Sequence, residues 1–113
     1  MELRSPDPSC NPYLALAVML SAGLDGLEQK LTPPEPVTEN IYEMSLAERE
    51  KRGINTLPGT LGEALDAMEK NPLMREVLGD HIFYRFMDAK RIESDIYRTQ
   101  VHEWELEQYL ATY

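Results

Sequence analysis

The chain has 113 residues, of which 11 are basic and 20 acidic, for a net charge of −9. Its length suits one ordinary domain, and its charge disfavours phosphate backbones and anionic lipid, so neither nucleic acid nor a membrane is expected as a partner. A single cysteine, Cys10, allows no internal disulfide, and the charged, proline-rich start lacks the segments of a secretion signal, so a cytoplasmic location is expected.

The triplet Glu2-Leu3-Arg4 reads as the end of a strand, in which alternate side chains share a face, so both charges project to one side. Ser5-Pro6-Asp7-Pro8-Ser9 then stops any ladder or helix. Asn11 followed by Pro12 is a cap and first-turn pair, which predicts a helix over residues 12–31. Residues 13–24 are interrupted only by Ser21 and Gly23, too short a run to span a bilayer. Apolar nearly all round, this helix reads as buried, and it demands cover either from this chain or from protein outside it.

Residues 32–60 read as a proline-marked linker with one short helix, started by the capping box Ser45-Leu46-Ala47-Glu48 and ended at Gly53. A second capping box, Thr60-Leu61-Gly62-Glu63, opens a helix with Leu61, Ala64, Leu65 and Met68 at helical spacing. Asn71-Pro72 starts a short helix closed at Gly79, and Asp80 caps the longest amphipathic segment. Its expected apolar stripe is Ile82, Phe83, Phe86, Met87, Ile92, Ile96 and Tyr97. The last residues, VHEWELEQYLAT, predict a terminal helix carrying Trp104, Leu106, Tyr109 and Leu110. The fold class is therefore mainly α, about six helices with one strand at the start, and that strand has no partner visible in the chain.

Taken by themselves, Glu2 and Arg4 read as a solvated strand end with a weak ion pair. Cys10 reads as packed, and His81 and His102 as structural or surface residues, since no companion stands at ligand spacing. The charges along the long helix read as a solvated face.

The string ELRSPDPSCNPYLALAVMLSAGLDG closely resembles the segment near the end of bacterial type I glutamine synthetases, after the last strand of their catalytic barrel. NIYEMSLAERE, LPGTLGEALDAME, FMDAKRIESDIYRTQVH and WELEQYLATY follow in the family's order, so the resemblance covers the whole chain. It implies the helical C-terminal part of an α+β catalytic domain, with residues 1–4 as a barrel strand end, 61–98 as helices and 99–113 as an oligomerisation arm. The implied chemistry is ATP-dependent ligation of ammonia to L-glutamate through γ-glutamyl phosphate, with Mg2+ or Mn2+ holding the phosphates. Position in the motif makes Glu2 a metal ligand and Arg4 a contact to glutamate and the transferring phosphoryl group. Tyr42 occupies the position adenylylated in one subtype, yet NIYEMSLAERE resembles the feedback-regulated subtype, so Tyr42 reads as an exposed or half-buried loop tyrosine.

In that subtype the end of the long helix approaches a neighbouring active site, which implies a gating role for Glu93. Family members assemble as double hexameric rings, and Trp104, Leu106, Tyr109 and Leu110 are the implied interface anchors. Glu103 departs from the proline that relatives commonly carry there. The chain alone is expected to be an inactive piece of the enzyme; the alternative is a helical interaction module that associates with itself or with the complete enzyme.

Overall fold

The computed structural model describes residues 3–110. It is mainly helical: α1 (Pro12–Glu28), α2 (Leu46–Lys51), α3 (Leu61–Lys70), α4 (Pro72–Tyr97) and α5 (Glu103–Tyr109), with one 3-10 turn at Ile41–Glu43. Each start has a local cause. Asn11 Oδ1 accepts from the amides of Tyr13 and Leu14, Ser45 Oγ from Glu48, Thr60 Oγ1 from Glu63, and Asn71 Oδ1 from Leu73. The Glu63 carboxylate reaches back to the Gly59 amide at 2.8 Å, one residue before the cap. At the end of α2, Gly53 takes φ 69° and Ile54 N donates to Arg49 O at 2.9 Å, a Schellman closure.

The expected opening strand is not seen among the described residues: Leu3 and Arg4 have no regular structure, and Glu2 lies outside those residues. A strand is stable only when another ladders with it, and none exists among the described residues. The first helix stops at Glu28, short of residue 31, because Lys30 turns to φ 54° and Leu31 N closes onto Gly26 O at 2.9 Å.

Helices α1, α3 and α4 pack together around Leu65, Leu78, Phe83 and Met87, with Leu14, Val18, Met68, Met74 and Phe86 half-buried about them. Arg91 on α4 reaches Asp66 and Glu69 on α3, at 2.9 and 2.8 Å. Of the cover that α1 is expected to demand, this chain supplies only part. Only the Leu14 and Val18 side meets the core, while Tyr13 is 83% and Leu27 75% exposed. The α4 stripe is likewise half-used: Phe83 and Met87 are buried, and Ile92, Ile96 and Tyr97 are exposed.

The reason is a shortage of covering chain. The radius of gyration is 18.2 Å, against about 13 Å for a compact domain of this length. The accessible surface is 10195 Å², against about 6,300 Å² for a compact monomer of this mass.

Gly79 splits α4 as the sequence predicts. At φ 70° and ψ 157° it occupies a region that side chains with a Cβ rarely enter. Asp80, expected as a cap, accepts from Arg75 Nε at 2.7 Å across the bend, and the Arg75 guanidinium lies 5.2 Å from the Tyr84 ring centre. That hydrogen bond, and then the charge of Arg75, hold the Asp80 carboxyl below its ordinary range. A depressed carboxyl stabilises the fold above its unfolded value and loses that contribution as pH falls through the folded one. A carbon-detected titration is therefore expected to place Asp80 below the ordinary aspartate pKa of about 3.9 and to shift it upward in Arg75→Met. High salt should shrink the difference, because the pair is exposed.

Candidate functional site

The site begins in the turn that links Arg4 to α1. Asp7 Oδ1 accepts from both the amide and the hydroxyl of Ser9, and Cys10 N donates to Asp7 O at 3.0 Å. The Ser9 hydroxyl bond, then its amide bond, hold the Asp7 carboxyl below its ordinary range, and the charge of Lys90 adds to the effect. With Asn11 capping α1 directly afterwards, the turn is locked to the first residues of that helix. Arg4 stands just ahead of it, exposed.

Packing of α1 on α4 then places the turn above a groove of about 630 Å³. Its apolar floor includes Leu14, Val18, Met68 and Phe86. Its polar rim holds Asp7, Ser9, Cys10 and Asn11 on one side and Lys90 and Glu93 on the other. Lys90 Nζ is hydrogen-bonded to Glu93 Oε2. Two regions nominated separately by the sequence, the segment after Arg4 and the Glu93 end of α4, therefore border one cleft.

The arm is placed apart from this cleft's lining. Trp104, Leu106, Tyr109 and Leu110 are all exposed, and the Trp104 and Tyr109 rings meet edge to face at 6.3 Å. The Tyr97 and His102 rings, 5.0 Å apart, join the end of α4 to the start of α5. Tyr42 is 97% exposed in its 3-10 turn. Cys10 is exposed, which corrects the expectation that it packs: the Asp7 turn that precedes it faces outward.

Divalent metals such as magnesium take about six oxygen ligands. Among the described residues no group of three His, Cys, Asp or Glu side chains is arranged to hold an ion. Glu2 is not among those residues, and one carboxylate alone does not make such a site. Among the described residues no helix is long and apolar enough to cross a membrane.

Sequence reasoning missed Lys90 and Asp7. The Asp7-Pro8-Ser9 string signals an Asx turn, and Lys90 lies one helical turn before Glu93, so each was legible locally. Their meeting across the groove was not, since it depends on how α1 crosses α4.

Residues 1–109 match the family model described as the glutamine synthetase catalytic domain. The chain is 61% identical over 112 residues to a glutamine synthetase of Thermus thermophilus, a match covering 99% of this chain and 25% of that protein. It is 57% identical over 113 residues to one from Staphylococcus epidermidis and 55% identical over 113 to one from Staphylococcus aureus; each match covers 100% of this chain and 25% of the relative. The chain spans about a quarter of the length of the curated relatives it matches.

Proposed function

Because this chain belongs to the glutamine synthetase catalytic-domain family, we propose that it serves an ATP-dependent glutamate–ammonia ligase as one wall of its site and as its assembly arm. The observation that carries this reading is a match of 61% identity running nearly end to end through the chain. In the proposed reaction an oxygen of the glutamate side-chain carboxylate attacks the terminal phosphorus of ATP, and ADP leaves. Ammonia then attacks the acyl carbon of γ-glutamyl phosphate, loses a proton and expels phosphate to leave glutamine.

Arg4 is suited to the phosphorylation step because its planar guanidinium can hold carboxylate and phosphoryl oxygens together, offsetting charge as the phosphoryl group transfers. Glu2 offers one hard oxygen ligand, and Mg2+ or Mn2+ would neutralise the nucleotide phosphates with the help of carboxylates from further sequence. Glu93, on the groove rim facing the turn after Arg4, is suited to gate that side of the site. Trp104, Leu106, Tyr109 and Leu110 present an apolar, aromatic face that fits another copy in a ring-on-ring homo-oligomer, in the manner the family resemblance implies. A cytoplasmic setting goes with this reading.

Two preparations test it. The 113 residues alone are expected to show no turnover and no magnesium or manganese site tighter than millimolar, because Glu2 would have no preorganised companions. Joined to the preceding three quarters of the Thermus thermophilus relative, they should restore glutamine formation. A folded but inert chimera would overturn the proposal, as would a micromolar metal site on the chain alone. Co-elution of the free chain with the complete relative, with altered turnover, would instead favour the helical interaction module.

A further inference from the structure

We propose that Lys90 is a positioning residue: from α4 it holds the turn of residues 5–11 across the groove, and so aims Arg4. This inference rests on the reading of Arg4 given above. Among the described residues that line the groove, Lys90 is the one cation, and carboxylates stand on both rims, Asp7 on the turn and Glu93 on its own helix. Its ammonium is bonded to Glu93, while its charge also acts on Asp7. Asp7 in turn organises the whole turn through the Ser9 amide at 2.8 Å, the Ser9 hydroxyl and the Cys10 amide at 3.0 Å.

Leu14, Val18, Met68 and Phe86 give the groove an apolar floor beside the half-buried Lys90, which leaves its ammonium at the polar rim that Asp7 also borders. The turn itself is exposed, and its internal hydrogen bonds span only two or three residues. Packing of α1 on α4 brings the turn to the groove and the local bonds set its shape, while the cation on α4 adds an attraction to the Asp7 carboxylate that limits how far the exposed turn moves from the rim.

The first test uses the 113-residue chain and needs no catalysis. Amide hydrogen exchange at Ser9 and Cys10 is expected to quicken about two- to five-fold in Lys90→Met, the range of an exposed charge interaction, and to return to the parent rate in Lys90→Arg. Removing a positive charge by itself slows base-catalysed exchange, so a faster rate reports a loosened turn. The difference should shrink in high salt. Unchanged exchange in Lys90→Met, or no rescue by arginine, would overturn the proposal.

The second test uses the chimera with the Thermus thermophilus relative. There Lys90→Met should lower kcat several-fold with a smaller change in KM for glutamate, because a misaimed Arg4 loses its contact to the transferring phosphoryl group, and Lys90→Arg should restore kcat. An active chimera whose kcat ignores Lys90 would also overturn the proposal. An inert parent chimera would count against the proposed function, while the exchange rates would still decide the role of Lys90.

Discussion

Phe83→Ala is expected to unfold the helical body of the isolated chain. Phe83 is 3% exposed and stands with Leu65, Leu78 and Met87 as the buried cluster that joins α1, α3 and α4. Truncating a buried phenylalanine costs about 3–5 kcal/mol, the lost transfer energy plus the cavity left behind. Domains of ordinary compactness are stable by about 5–15 kcal/mol, and a chain with this much uncovered apolar surface falls at the low end. Urea denaturation followed by helical circular dichroism reads the result directly. Leu20→Ala is the matched control: Leu20 is exposed on the open side of α1, so its loss should change stability by no more than about 0.5 kcal/mol. Equal midpoints for Phe83→Ala and the parent would show that the three helices do not depend on this cluster.

The second result concerns chemistry. In the chimera with the Thermus thermophilus relative, Arg4→Lys is expected to lower kcat/KM by about 10²–10³, the loss typical of removing one preorganised donor from a transition state. Lysine keeps the charge but lacks the planar fork that engages two oxygens at once, so the substitution separates geometry from charge. Arg4 is exposed and far from the buried cluster in sequence and burial, so the thermal midpoint should hold. Activity within tenfold of the parent at an unchanged midpoint would remove Arg4 from the proposed wall. A fall in both would assign it to folding.

The family was legible because its identifying strings are long and ordered, and the helix starts were legible because capping acts over three or four residues. Asn11, Ser45, Thr60 and Asn71 each accept the amide bonds that their neighbours predict, and Gly53 and Gly79 each take positive φ where a helix must stop or bend. The strand end expected over residues 1–4 is not seen at Leu3 and Arg4 for the converse reason. A strand is a relation between two segments, and an alternating pattern supplies only one of them.

Burial was only partly legible. The apolar periodicity of α1 and α4 marks which residues seek cover, yet Leu14 and Val18 are covered while Tyr13 and Leu27 are not. Which side of a helix is covered depends on the neighbours present, and periodicity carries no information about them. The candidate site divides in the same way. Arg4 and Glu93 can be nominated one at a time from motifs, whereas the groove that sets the Asp7 turn opposite Lys90 and Glu93 exists only because α1 crosses α4.

Caps, turns, helix starts and family membership thus belong to the amino-acid order itself, since each rests on contacts between near neighbours or on the identity of strings. The shared groove of the Asp7 turn and Lys90, the half-covered state of α1 and the lack of regular structure at Leu3 belong to packing. They arise from contacts between segments far apart in the chain, whose free energy depends on every surface that is present to meet them.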